Sequence, residues 1–211
     1  MKYKYFLFDW DGSLADTLPI LFSGFKKIFA NYDIQVTNKV IGKEVIGDWG
    51  GPERLGISDS EKFFAELETE VLDKLNTVKL NQGVFELLSQ IKQNGGKIGV
   101  VTASRKRWVK GSLRKNGLRE LVDVFLGKED VEYVKPDPEG VLKALEIMRG
   151  KPEEAIMIGD NEKDIMAGRR AGVDTGIYFP SRYEEYYVRD KQLCLGANYV
   201  IQDFGEMEKF L

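Results

Sequence analysis

Four apolar runs without polar alternation punctuate the chain: Tyr5 to Phe8, Ile98 to Val101, Ala155 to Ile158 and Gly176 to Phe179. A strand covered by helices on both faces loses its in–out alternation, so these runs read as buried parallel strands. Val124 to Leu126 and Tyr199 to Ile201 are weaker and read as edge strands. Helical spacing lies between the runs. Leu113 to Leu118 follows the second, Val141, Leu142, Leu145 and Met148 precede the third, and Ile165 to Ala171 follows it. Strand and helix in alternation predict an α/β fold, a Rossmann-like parallel sheet with helices on both faces.

One stretch breaks the alternation. Between the first and second strong runs the chain reads almost wholly as helix, far more than a crossover needs. Leu21, Phe25, Ile28 and Phe29 fall near one stripe of a helix from Leu18 to Ala30. Ser58 and Glu61 are spaced as a capping box before Phe64, Leu67, Val71 and Leu75, which repeat at three and four. A further helix carries Val84, Leu87, Leu88 and Ile91 and stops at Asn94-Gly95-Gly96. The expected organisation is a core of residues 1–16 and 83–211. A helical cap domain, residues 17–82, is inserted over the end of the first strand.

Composition then narrows the chemistry. With 211 residues, 43% of them hydrophobic, the chain can bury a core. Its 31 basic and 34 acidic residues leave a net charge of −3, with no like-charge run, which speaks against a nucleic-acid partner. There is no histidine, so no Ser-His-Asp triad and no His-ligated zinc site. Cys194 is the sole cysteine and reads as a small apolar filler. Tyr5 to Phe8 is too short for a signal-peptide core, and no later stretch suits a bilayer. The expectation is a cytoplasmic protein, monomer or homodimer, with no membrane partner. Carboxylates remain for catalysis, and oxygen donors suit a hard cation such as magnesium.

Four segments carry that chemistry. Phe8-Asp9-Trp10-Asp11-Gly12 ends the first strand in two acids that an extended backbone points the same way. Ligands in open α/β sheets sit beyond the carboxyl ends of strands. Crowded carboxylates call for a cation or a shared proton, and Gly12 lets the backbone turn near the ligand. Val100-Val101-Thr102-Ala103-Ser104 ends another strand in a hydroxyl suited to phosphate oxygens. In Val134-Lys135-Pro136-Asp137-Pro138, Pro136 favours an extended Lys135, and Asp137 and Pro138 suit a helix start. Ile158-Gly159-Asp160-Asn161…Asp164 ends a third strand in an acid, with another acid four residues on.

In this order and these strand contexts the four segments resemble the haloacid dehalogenase superfamily over nearly the whole chain. Asp9, Asp11, Gly12 and Leu14 match its first motif, Thr102 its second, Lys135 its third and Gly159-Asp160…Asp164 its fourth. The inserted helices look like its type-one cap, as in phosphoglycolate-phosphatase-like members. Ser13 and Trp10 depart mildly from the usual pattern without removing a catalytic group. The resemblance implies a phosphatase acting on a small phosphorylated metabolite through an aspartyl-phosphate. Asp9 would be the nucleophile and Asp11 the acid–base, with Thr102 and Lys135 assisting. Gly12, Thr102, Ala103 and Lys135 would surround the phosphate. Mg2+ would be held by Asp9, the Asp11 carbonyl and Asp160, supported by Asp164. An acid at Asp11 speaks against a dehalogenase. A mutase of the β-phosphoglucomutase type and a non-catalytic phosphate-binding protein are the alternatives.

The cap is less legible. It carries 8 basic and 10 acidic residues, no sign of a polyanion selector. Lys43, Arg54 and Arg105 are the expected substrate contacts, and Gly47 to Pro52 reads as a mobile loop. Tyr178, Tyr183, Tyr186 and Tyr187 read as a cluster packed against the domain.

Overall fold

The computed structural model describes all 211 residues. Six parallel strands form one sheet in the order β3-β2-β1-β4-β5-β6. They are β1 (Tyr5–Phe8), β2 (Lys97–Val101), β3 (Val124–Leu126), β4 (Ala155–Gly159), β5 (Asp174–Tyr178) and β6 (Tyr199–Ile201). The two weak runs, β3 and β6, occupy the two edges as expected. The fifth strand begins two residues before the expected Gly176 and leaves Phe179 outside it.

Side chains of the central strands alternate between two apolar layers. Phe6, Phe8, Ile98, Val100, Ile156 and Ile158 enter one layer, while Leu7, Val101 and Met157 enter the other. α7 (Glu139–Met148) and α8 (Glu162–Arg170) cover the second layer through Val141, Ala144, Leu145, Met148 and Ala167. α5 (Val84–Gln93) and α6 (Lys106–Lys115) cover the first. Burial on both faces explains why the strands lack polar alternation.

Between β1 and α5 lie α1 (Leu18–Ala30), α2 (Asn38–Glu44), α3 (Gly51–Arg54) and α4 (Ser60–Leu75). The chain leaves the sheet and returns to it along paired segments. Asp16 donates to the Lys79 carbonyl at 3.0 Å and Asn81 to the Leu14 carbonyl at 2.9 Å. α1 and α4 are joined by aromatics, with Phe29 and Phe63 centroids 4.7 Å apart. Gly24 sets their separation, because a Cβ there would lie 2.5 Å from Val71 Cγ1. Thr17 precedes α1 without capping it, since its hydroxyl accepts from the Gly12 N–H at 3.1 Å.

Two local expectations are corrected. α4 is capped by Asp59, which accepts from the Lys62 N–H at 2.9 Å, so Ser58 and Glu61 form no capping box. An aspartate one residue on already satisfies the free N–H groups. Cys194 is exposed at the end of the short helix α9 (Arg189–Leu193) and fills no core. Lys135 lies in a turn and is joined to Pro136 by a cis bond. No helix is long and apolar enough to cross a membrane.

Alanine normally suits a helix better than glycine by about 1 kcal/mol. At Gly24 the clash with Val71 outweighs that gain, because overpacking typically costs about 1–3 kcal/mol. Gly24→Ala is therefore expected to lower the urea midpoint of unfolding. A raised midpoint would show that α1 and α4 can separate freely.

Candidate active site

β1 is central and its neighbours β2 and β4 lie on either side, so the chain order reverses here. A crevice opens beyond the carboxyl ends of strands at such a switch point. Asp9 leaves β1, Thr102 leaves β2 and Asp160 leaves β4 at this one place. The backbone closes tightly beneath them. Gly12 has a φ of 74°, and a Cβ on it would lie 2.5 Å from Asp160 Oδ2. A Cβ on Gly159 would lie 2.1 Å from Asp164 Cγ. Only glycine admits so close an approach of acid to backbone.

Lys135 is buried in the middle of the acids. Its ammonium lies 2.5 Å from Asp9 Oδ1 and 2.6 Å from Asp164 Oδ1, and it donates to the Val101 carbonyl at 2.9 Å. Asp164 also belongs to the start of α8, where its Oδ2 accepts from the Asn161 N–H at 3.2 Å. Asn161 in return caps the helix by accepting from the Lys163 N–H at 2.9 Å. Asp160 is fully buried. Its Oδ1 accepts from Asn161 Nδ2 at 3.2 Å and its Oδ2 from the Tyr187 hydroxyl at 2.7 Å. Oxygen atoms of Asp9, Asp160 and Asp164 lie within 4.8 Å of one another.

The acids are thus more numerous than the single ammonium can balance. Burial, partly offset by Lys135 and reinforced by Asp164 and Asp11, pushes the Asp9 carboxyl up to about 7. Burial and the charges of Asp164 and Asp9 push Asp160 well above the usual carboxylate range. Burial works against the Lys135 ammonium, but Asp164 and Asp9 outweigh it and hold the group charged. Asp11 stands apart from this network. Its Oδ2 accepts from the Ser104 hydroxyl at 2.5 Å and, more weakly, from Thr102 Oγ1 at 3.5 Å. Burial raises its pKa as well, partly countered by the Ser104 bond.

A roof closes over these groups. The cavity holds about 50 Å³ of free space and is walled on the helical side by Leu21, Phe25, Trp49 and Phe64, with Trp108 from α6. Trp49 donates from Nε1 to the Ala103 carbonyl at 2.9 Å. Lys163 donates to the Ile46 carbonyl at 2.5 Å and lies 3.9 Å from Asp48. The loop from Gly47 to Pro52 is thus held to the segment after β2 through Trp49 and to α8 through Asp48, and it ends in α3. Lys163 and Lys135 are the two cations lining the cavity, and burial lowers the Lys163 pKa.

Asp9, Asp11, Thr102, Ala103, Lys135 and Asp164 all line this cavity, and Asp160 lies beneath it. Gly12 does not line it, and its N–H donates to the Ala15 carbonyl and the Thr17 hydroxyl. Lys43, Arg54 and Arg105 also lie outside the lining. Lys43 pairs with Glu44, Arg54 with Asp48 at 2.7 Å, and Arg105 with Glu68 at 3.1 Å. Four neighbours were not assigned to the site from sequence: Ser104, Trp49, Lys163 and Tyr187. Of these, Ser104 alone had a signal, its position three residues beyond the end of β2.

Residues 6–177 match the family model of the haloacid dehalogenase-like hydrolases. The chain is 31% identical over 204 residues to pyrophosphatase PpaX of Bacillus mycoides, covering 90% of this chain and 94% of the relative. Among solved structures it superposes on a Lactobacillus plantarum protein provisionally named a phosphoglycolate phosphatase, at a TM-score of 0.86 and 23% identity, with 100% of both chains covered. CbbY of Rhodobacter sphaeroides in complex with phosphate gives a TM-score of 0.80 at 20% identity, over 97% of this chain and 96% of that one. The two structures share the fold. The chain belongs to the haloacid dehalogenase-like hydrolases.

The raised carboxyls make a stability prediction for the metal-free protein. Between the unfolded carboxyl value of 3.8 and about 7, the folded site holds protons that the unfolded chain has released. Stability contributed by these groups therefore falls as pH rises through that window. Asp160→Asn removes one of these groups and is expected to raise the Tm at pH 8 by about 2–4 °C. Calorimetry of metal-free protein from pH 5 to pH 8 checks this, and an unchanged or steeper loss in the variant would contradict it.

Proposed function

We propose that this hydrolase is a magnesium-dependent phosphatase acting on a small phosphorylated metabolite through an aspartyl-phosphate. The observation that carries the reading is the contrast between two acids two residues apart. Asp9 is ion-paired to buried Lys135 at 2.5 Å, while Asp11 has no ion pair and is held by the Ser104 hydroxyl. Neighbouring carboxyls in opposed environments can divide the roles of nucleophile and acid–base.

Lys135 keeps the Asp9 carboxylate oriented and favours its ionised form. Asp9 attacks phosphorus in line, and the bond to the leaving oxygen breaks as the aspartyl-phosphate forms. Asp11 gives its proton to that oxygen, then takes one from the water that hydrolyses the intermediate. Thr102 and the backbone after it lie where phosphoryl oxygens need donors. Asp9, Asp160 and Asp164 fit a magnesium ion, being hard oxygen donors within 4.8 Å of one another and carrying more negative charge than Lys135 balances. Asp164, already bonded to Lys135, acts in support of the other two. Magnesium bound there would neutralise charge on the nucleophile and the phosphoryl group. Residues 17–82 serve as the cap, and its apolar side chains limit the water around the reacting groups.

The lining of the cavity favours hydrolysis over mutase chemistry. A mutase must keep a second phosphoryl group bound while the intermediate turns over. The roof here is largely aromatic, and Lys163 is the one lining cation besides Lys135. The curated relatives named pyrophosphatase make inorganic pyrophosphate the first substrate to assay, beside p-nitrophenyl phosphate.

Asp9→Asn is expected to abolish turnover in a folded protein, since an amide is a very poor nucleophile. Near-normal turnover would overturn the mechanism. EDTA should stop wild-type turnover and magnesium restore it, and full activity in chelator would remove the metal assignment.

Asp11→Asn removes both proton transfers and should slow turnover by roughly a hundredfold or more. With p-nitrophenyl phosphate, whose leaving group scarcely needs a proton, the phosphorylated Asp9 should accumulate and appear in intact-protein mass spectra. Repeated absence of the adduct, despite slow turnover and bound substrate, would favour direct attack by water.

A further inference from the structure

The tyrosine-rich segment after β5 is buried, yet two of its hydroxyls reach the acid site. Tyr183 donates to the Gly12 carbonyl at 2.6 Å, and Tyr187 donates to Asp160 Oδ2 at 2.7 Å. The side of Asp160 that receives Tyr187 is the side against which Gly12 packs, so Oδ2 is enclosed from both directions. A carboxylate with one oxygen fixed in this way cannot rotate about its Cβ–Cγ bond without breaking a buried bond.

The Tyr187 ring is itself held by the helical cap. It meets Phe22 of α1 edge-on, with centroids 6.3 Å apart. A Cβ on Gly42 of α2 would lie 3.0 Å from the ring and 2.8 Å from the Tyr186 carbonyl. Lys39 of α2 donates to the carbonyls of Glu184 and Tyr187. Tyr186 packs in the same cluster, but its hydroxyl bonds to no protein group.

We propose that Tyr187 is a positioning residue for Asp160, fixing the carboxylate so that it can serve as a magnesium ligand. The inference rests on the metal reading above. Outer groups that orient a ligand typically contribute about 10–100-fold in metal affinity or activity. Tyr187→Phe keeps the ring and its packing and removes only the bond to Asp160.

Isothermal titration of metal-free protein with magnesium, without substrate, gives a readout separate from turnover. Tyr187→Phe is expected to weaken magnesium binding by about tenfold or more. Excess magnesium should then restore most of kcat, with the substrate KM unchanged. Tyr186→Phe should bind magnesium as the wild type does. A residue that merely packs would lower the Tm of Tyr187→Phe and leave the magnesium Kd in place. A folded Tyr187→Phe protein with wild-type magnesium Kd overturns the proposal. If that variant does not fold, Gly42→Ala, which crowds the ring and spares the hydroxyl, should weaken magnesium by about threefold or more. Wild-type affinity there overturns the proposal equally. Failure of the wild type itself to bind magnesium would instead remove the metal assignment.

Discussion

The shared burial of several carboxylates around one ammonium is the constraint on which the rest of the structure depends. Lys135 touches Asp9 and Asp164, and Asp160 stands beside them without a cation of its own. Such a group exists only because a parallel sheet with β1 at its centre delivers strand ends from distant parts of the chain to one crevice. Gly12 and Gly159 then admit the acids at distances no side chain would tolerate. Leaving like charges crowded in a buried place costs stability, and the same crowding gives the site its demand for a cation. Function and instability here have one source.

The roof is the second consequence. Ionic groups in a crevice open to water interact weakly, whereas the same groups under an apolar cover interact strongly. Leu21, Phe25 and Phe64 supply that cover from α1 and α4, and Trp49 fastens it by its bond to the Ala103 carbonyl. Arg105 and Lys128 each lie over the Trp49 ring, 4.8 Å from its centre. Arg105 thus contributes to the latch and not to the cavity surface. Lys163 adds a second fastening through the Ile46 carbonyl, at the residue where α8 begins to carry Asp164 toward the site.

Much of this was legible in the sequence because it is local. A continuous apolar run marks a strand covered on both faces, and the residue that follows it falls at a strand end. That logic located Asp9, Thr102 and Asp160, and it put Val124–Leu126 and Tyr199–Ile201 at the edges. Helical spacing located α1 from Leu18 to Ala30 and the buried face of α4. What escaped depends on contacts between residues far apart in the chain. Nothing near Tyr187 signals that its hydroxyl meets an acid 27 positions earlier, and nothing near Trp49 points to Ala103. Asp59 displaced Ser58 as a cap because two neighbouring residues had similar capping chemistry and sequence alone does not choose between them. Gly12 has the right residue type for its turn, but its N–H is satisfied within the loop, which periodicity does not reveal.

The acids of the site and the residues that hold them therefore come from different levels of organisation. Strand ends deliver the acids, while their orientation comes from tertiary neighbours: Ser104 for Asp11, Asn161 and Tyr187 for Asp160. Tyr187 belongs at once to the acid site and to the packing beneath α1 and α2. Protein interiors are close-packed, so α2 cannot move against Gly42's contact with the ring without either carrying Tyr187 along or opening a gap. The contact of α1 and α2 with the tyrosine segment and the plane of the Asp160 carboxylate are accordingly parts of one packed unit. The pairing of Asp16 with Lys79 and of Leu14 with Asn81, where the chain leaves and re-enters the sheet, ties that unit back to the loop that carries Asp9 and Asp11.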